Sequence, residues 1–273
     1  MNKQSFITIL LTVLMSMIGA KAFAYDLAVA NSEGITIYYN WANSERTELA
    51  VTFCQYSYYS PQSFYSGNLV IPESVVYEGK TYYVTSIGDY AFNDCSSLSS
   101  VNIPSCVKAI GESAFSGCSA LASISIPNSV TFIGPNAFVG TAWIKTQPDG
   151  LVYAGKFVYC YKGEMPANTH VTIKDGALGI AGFAFYNYTN LTSVTIPNSV
   201  KSINYYAFGY CSSLTSVTIP NSVTKIDNYA FSNCSSLTTI TSEITTPYAI
   251  GDILSGNYSQ TTLIVPKKRR RII

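Results

Sequence analysis

Acid–base, nucleophilic and metal chemistry draw on a short set of side chains, and this chain of 273 residues holds few of them in useful patterns. Its one histidine is His170, inside Asn168-Thr-His-Val-Thr172. A single histidine excludes a two-histidine metal site and obliges any Cys–His scheme to use that residue. Beside a strand-like segment, it reads as a surface side chain. The seven cysteines form no Cys-x-x-Cys pair, so neither a zinc nor a dithiol redox motif is present. The fifteen carboxylates show no recurrent spacing that would set the paired acids of a glycosidase facing one another. A Gly-x-Ser-x-Gly elbow, a phosphate loop and a dinucleotide fingerprint are all absent. The expectation is a protein that is not an enzyme and uses no metal and no cofactor.

Charge narrows the partner class. Only 11% of residues are charged and the formal net charge is +1, which excludes nucleic acid as the main partner because phosphate binding needs a basic surplus. Five of the sixteen basic residues are Lys267, Lys268, Arg269, Arg270 and Arg271, so the remainder is mildly acidic. The basic tail 267–273 could meet an anionic surface, but a solvated end is the simpler reading.

Residues 1–24 read as a secretion signal. Lys3 supplies the positive start, Phe6 to Ile18 is an apolar run of 13 residues, and Ala22-Phe23-Ala24 offers the small-x-small cleavage pattern. Cleavage after Ala24 leaves Tyr25 as the mature start. The run is shorter than the ~20 residues of a spanning helix, and no later stretch is apolar enough to span. A secreted or cell-surface protein of bacterial type is expected.

The elements that would have to position any site follow a 23-residue period. Ile87, Ile110 and Ile133 are 23 apart, as are Ile180, Ile203 and Ile226. Four residues after each comes an Ala-Phe pair, from Ala91-Phe92 to Ala230-Phe231, and then the leucines Leu98, Leu121, Leu191, Leu214 and Leu237. Apolar residues at fixed offsets mean that each unit buries one side against its neighbours. The alternating end of Leu-x-x-Val-x-Ile predicts a strand with Val101 and Ile103 inward and Ser100 and Asn102 outward. Proline then ends it. Stacked coils place such strands ~4.8 Å apart in a parallel sheet.

Ile-Gly-x-x-Ala-Phe-x-x-Cys-Ser-x-Leu and Ile-Pro-Asn-Ser-Val (126–130, 196–200 and 219–223) resemble the repeats of the BspA-like leucine-rich-repeat surface proteins. The resemblance implies a mainly β repeat solenoid, a right-handed leucine-rich-repeat coil with a parallel sheet on one face. It also implies a secreted or surface protein of the kind linked to adhesion and to host matrix proteins. The expected organisation is a signal peptide (1–24), an N-terminal β cap (25–68) and a solenoid (69–266) ending in the tail. Ile35 to Tyr39 and Leu49 to Phe53 are the strands of the cap, and packing there is the favoured role for the clustered Tyr56, Tyr58, Tyr59 and Tyr65.

The period breaks between Ile133 and Ile180, which are 47 apart. Leu151 to Tyr161 reads as a hairpin turning near Gly155, inserted at about 144–168 and expected to project from the stack. Cys95, Cys118, Cys211 and Cys234 share one repeat position that Thr141 and Tyr188 fill elsewhere. That position needs a soft or polar side chain rather than a thiol, so a ladder of free thiols is expected in place of disulfides.

The outward strand positions are the candidate binding face. Ser100, Ser123, Ser193, Ser216 and Thr239 form one column, with Asn102, Ser125, Thr195, Thr218 and Thr241 beside it. Ser and Thr are common on solvent-facing strands, but a whole extended sheet face is what solenoids present to partners. Partners of extracellular or host-surface protein type are expected there, by shape and many weak hydrogen bonds. The alternative is a carbohydrate-binding module using some of the 22 tyrosines, such as Tyr58 or Tyr59. A hydrolase would need a carboxylate or His170.

Overall fold

The computed structural model describes residues 25–53, 65–246, 248, 251–256 and 260–266. The signal segment with Ala24, the residues Cys54, Tyr56, Tyr58 and Tyr59, and the basic tail lie outside the described residues. The chain is a mainly β solenoid of about eight turns. Among the described residues its one helix is α1 (Ala142–Thr146).

Each repeat contributes one strand to a first wall. These are β4 (Gly67–Val70), β7 (Leu98–Asn102), β9 (Ser123–Ile124), β13 (Thr169–Thr172), β15 (Leu191–Thr195), β17 (Ser216–Ile219), β19 (Thr239–Ser242) and β20 (Thr262–Ile264). Strands pair in parallel within three ladders, β4-β7-β9, β13-β15 and β17-β19-β20, and from β7 onward the register within each is one repeat, so Val101 faces Ile124 and Val217 faces Ile240. Leu98, Val101 and Ile103 are buried and Asn102 is exposed, the period-2 alternation that the pattern dictates. The proline that follows accepts a turn hydrogen bond from the residue three on, Val107 N–H to Pro104 at 3.1 Å and Val223 N–H to Pro220 at 3.1 Å. A tight turn thus redirects the chain where the strand can no longer donate.

The recurring isoleucines build a second wall of shorter strands. It comprises β6 (Lys80–Ile87), β8 (Ala109–Ile110) and β10 (Phe132–Ile133), then β12 (Phe157–Lys162), β14 (Gly179–Ile180), β16 (Ser202–Ile203) and β18 (Lys225–Ile226). Ile87, Ile110 and Ile133 stand side by side in register, as do Ile180, Ile203 and Ile226.

The Ala-Phe turn fills the space between coils. Phe92, Phe115 and Phe138 stack at 5.0 and 5.6 Å between ring centroids, and Phe185, Phe208 and Phe231 at 5.0 and 5.3 Å, nearly parallel throughout. All six are fully buried beside buried alanines. One repeat advances the chain by one stacking distance, so each ring finds its partner at the offset-stacked range that favours aromatic pairs.

The 47-residue interval does not hold a projecting hairpin. β11 (Gly150–Ala154) and β12 do pair antiparallel around Gly155, but β12 then pairs in parallel with β14, Val158 beside Ile180. Val152, Ala154, Phe157, Val158 and Tyr159 are buried, and the turn at Gly155 packs on Ile126. The hairpin is built into the stack because its arms carry more apolar surface than a solvated loop could expose. The first wall, by contrast, does break here. After β9 the chain turns into α1, whose Trp143 N–H donates to Leu121 at 2.7 Å, and the wall resumes at β13.

At the N-terminal end β1 (Leu27–Ala30), β2 (Thr36–Trp41) and β3 (Glu48–Thr52) form an antiparallel ribbon, and β3 pairs in parallel with β6. Leu27, Ile37, Tyr39, Leu49 and Val51 are buried in one cluster with the first coils. The ribbon therefore covers apolar surface that an open solenoid end would expose. Tyr65 packs edge-on against Phe92 at 5.0 Å and closes the phenylalanine stack. β5 (Ser74–Tyr77) folds back on β6 as a hairpin that the 23-residue pattern does not announce.

Candidate binding faces

All ten outward residues singled out in the sequence lie on the first wall, in two patches. Ser100 and Ser123 are paired, with Asn102 and Ser125 beside them, on β7, β9 and the residue after β9. Ser193 and Thr195 lie on β15, Ser216 and Thr218 on β17, and Thr239 and Thr241 on β19. The break at α1 separates the patches. Asn102, Ser123, Ser125, Thr195, Ser216 and Thr218 are exposed, while Ser100, Ser193, Thr239 and Thr241 are half-buried. The eight strands of this wall contain no Asp, Glu, Lys or Arg.

Hydroxyls on this wall fall into two kinds. Thr192, Thr215 and Thr238 donate their hydroxyls to backbone carbonyls of the preceding coil, those of Thr169, Thr192 and Thr215, at 3.0 to 3.5 Å. These form a seam that holds coils together. Ser123, Ser125, Ser216 and Thr218 make no such bond to another described residue. Their donors and acceptors face solvent.

His170 belongs to the outward column, which the sequence reading did not include. It pairs with Ser193 across β13 and β15. Its Nδ1 lies 2.6 Å from the Ser193 hydroxyl, and its Nε2 lies 3.2 Å from the hydroxyls of both Thr172 and Thr195. Three hydroxyls hold the exposed ring in place, and no cysteine or carboxylate is among these partners. Register alone would have found it, since His170 precedes Ser193 by one 23-residue period.

The cysteine position is explained by a repeated hydrogen bond. The thiols of Cys118, Cys211 and Cys234 each donate at 3.0 Å to the carbonyl of the phenylalanine one coil earlier, Phe92, Phe185 and Phe208. At this repeat position Thr141 instead donates within its own coil, to the Phe138 carbonyl at 2.8 Å, while the Tyr188 hydroxyl reaches the Tyr161 carbonyl of the preceding coil at 2.6 Å. The six described cysteines are free thiols. Burial pushes the Cys118 and Cys234 thiols up to about 12, which suits neither nucleophile nor metal ligand.

A shallow groove on the second wall brings Glu48 within 3.9 Å of Lys108, with the Thr85 hydroxyl donating to Glu48 at 2.9 Å. It presents one carboxylate, already occupied, where acid–base hydrolysis needs two. Among the described residues no three His, Cys, Asp or Glu side chains converge, and no helix is long and apolar enough to cross a membrane.

The tyrosines that precede the repeat alanine, Tyr90, Tyr206 and Tyr229, do not share one environment. Tyr90 is exposed and donates to Glu112 at 2.9 Å, while Tyr206 and Tyr229 are half-buried within a larger group of rings.

Among solved structures, the chain is similar to a leucine-rich repeat protein of Bacteroides ovatus, with 25% identity over 88% of this chain and 71% of that one, and a TM-score of 0.42. It is similar also to a leucine-rich cell surface protein of Faecalibacterium prausnitzii, with 28% identity over 80% of this chain and a TM-score of 0.36. The chain spans 55% of the length of that second protein. No functionally curated protein matches it. The model of the BspA type leucine rich repeat region matches in six copies over residues 56–148 and 157–272, most of the sequence, and the chain belongs to that family.

Proposed function

We propose that this chain is a secreted or surface interaction protein that binds proteins of host-surface or matrix type through the hydroxyl face of the first wall. One observation carries the reading. The exposed hydroxyls of Ser123 and Ser125 in one patch, and of Ser216 and Thr218 in the other, make no hydrogen bond to another described residue, whereas Thr192, Thr215 and Thr238 spend theirs on neighbouring coils. A flat row of such donors and acceptors, without charge, suits a partner recognised by shape and many weak hydrogen bonds. Family membership supports the narrower reading as adhesion, and the expected signal segment supports export.

The test is binding of the purified protein to immobilised matrix proteins at two salt concentrations. An uncharged face predicts binding that is nearly independent of salt, because there is little for counterions to screen. Ser125→Lys and Thr218→Lys, one on each side of the break, should each weaken it at least tenfold if both patches engage. Binding that both substitutions leave unchanged would reject the face.

A further inference from the structure

Three successive coils carry an aromatic group that the core does not need. The interior of these coils is already filled by Phe185, Phe208 and Phe231. Outside that stack, Phe183, Tyr206 and Tyr229 occupy the position just before the repeat alanine and form a second ladder, at 5.7 and 5.1 Å between centroids. Tyr205 and Tyr186 stand edge-on to Tyr206 at 4.7 and 5.8 Å, and Tyr210 meets Tyr186 at 5.3 Å. Six rings thus form one continuous group. Tyr186, Tyr205 and Tyr210 are 40%, 38% and 41% exposed.

The backbone beneath them is left-handed. Phe183, Tyr206, Tyr210 and Tyr229 have φ of 61°, 50°, 60° and 61°. The same position is left-handed in the earlier coils as well, at Tyr90, Ser113 and Asn136, so the conformation belongs to the repeat turn and not to this patch. What is particular to these coils is that three successive bulky rings fill a position that Ser113 and Asn136 fill in earlier coils.

Two features define what the patch would take. The turns that carry the rings, 182–187, 205–210 and 228–233, contain no charged residue, so a charged ligand would find no counter-ion on them. Next to Tyr205, Asn204 is only 1% exposed, yet neither its Oδ1 nor its Nδ2 has a hydrogen-bond partner. An orphaned buried amide is rare and marks a place where an ordered water supplies the missing partners. A fitting ligand is neutral, offers C–H surface to aromatic rings, and offers hydroxyls to phenols and, through water, to the amide.

We propose that this six-ring patch is a binding site for neutral carbohydrate. It is independent of the hydroxyl face, which lies on other segments of the same coils. The test is an array of neutral, sialylated and sulfated oligosaccharides, followed by titration of a neutral hit and by sedimentation of the unliganded protein. The expected result is binding to neutral glycans by a monomer, weakened at least tenfold by Tyr186→Ala or Tyr205→Ala and unchanged by Thr218→Lys. Both tyrosines are surface residues, so a thermal melt close to that of the wild type will separate lost binding from lost fold. The proposal is overturned by a folded protein that binds no neutral glycan, by binding confined to acidic glycans, or by neutral binding that both tyrosine variants retain. Self-association that Tyr205→Ala abolishes, without glycan binding, would equally overturn it in favour of a second copy of this chain.

Discussion

The backbone N–H of Phe138 donates to the side-chain hydroxyl of Tyr159 at 2.8 Å. At other junctions the equivalent amide donates to a backbone carbonyl of the next Ala-Phe turn, Phe92 to Ala114, Phe115 to Ala137, Phe185 to Ala207 and Phe208 to Ala230, each at 2.8 Å. The coil after Phe138 has no Ala-Phe turn. Tyr159 replaces both parts of it, with its hydroxyl for the missing carbonyl and its ring, edge-on to Phe138 at 5.2 Å, for the missing phenylalanine.

Tyr159→Phe keeps the ring and strands the amide. A buried donor left without a partner costs about 1–3 kcal/mol, so the midpoint of urea unfolding should fall while the slope stays the same. Tyr159→Ala adds a cavity and should cost about 3–5 kcal/mol, as large-to-small aromatic core changes do. If Tyr159→Phe unfolds at the wild-type midpoint, the hydroxyl is no substitute for the missing turn.

The buried thiols predict an alkaline limit on stability. Cys118 and Cys234 are pushed up to about 12 by burial, and Cys211 is raised for the same reason. In the unfolded chain a thiol titrates near ~8.5. The folded state therefore holds these protons where the unfolded state releases them. The stability they contribute is intact below about pH 8.5 and is lost as pH rises towards 12, at about 1.4 kcal/mol per thiol per pH unit. Melting temperature should be flat from pH 7 to 8 and fall from 8.5 to 10, less steeply in Cys118→Ala and Cys234→Ala. Native protein at pH 8 should also resist alkylation at these positions. Rapid labelling of Cys118 without unfolding would contradict its burial.

The repeat was legible in the sequence because each coil reuses the same contacts. Ile110 must meet Ile87 and Ile133, and Phe115 must meet Phe92 and Phe138, so one spacing encodes the whole stack. The hairpin was legible as a hairpin, but its placement was not. Val158 sits 25 residues after Ile133 and 22 before Ile180, so it joins the second wall without keeping the period. The break in the first wall depends on α1, which no spacing announces. The outward columns lie on the first wall, with four of the ten residues half-buried, whereas the gap between Ser125 and His170, and the presence of His170 itself, follow from register across coils. The aromatic patch escaped for a related reason. Tyr186, Tyr205 and Tyr210 occupy different repeat positions and meet only because turns of adjacent coils are superposed.

The glycine of Ile-Gly-x-x-Ala-Phe is required by close approach of coils rather than by φ. A Cβ on Gly111 would lie 2.5 Å from the Asp89 nitrogen and 2.7 Å from the Gly88 carbonyl carbon. The Asp89 carboxylate, which accepts from the Glu112 N–H at 2.8 Å, would be displaced as well. Gly111→Ala should therefore destabilise by about 1–3 kcal/mol, the usual cost of overpacking. Calorimetry giving an unchanged melting temperature would show that the coils can separate slightly at no cost.

Asn204 occupies the same repeat position in a later coil, where the preceding coil has Ala181. Its backbone keeps the standard bonds, N–H to the Ile180 carbonyl at 3.0 Å and carbonyl from the Ala207 N–H at 3.0 Å, so only the amide is out of place. Asn204→Ala removes two orphaned buried groups and leaves that backbone intact. Relief of unsatisfied polar groups is worth about 1–3 kcal/mol, and the small cavity left behind takes back part of it, so a rise in melting temperature of a few degrees is expected. Stabilising changes at native positions are often neutral for function, so the amide's part in the site is read from binding, which its loss weakens. The same variant should bind neutral oligosaccharide more weakly than the wild type. Calorimetry and glycan titration on one sample separate the outcomes. Higher stability with weaker binding assigns the amide to the ligand, whereas lower stability would show that Asn204 is satisfied in solution and has no part in the site.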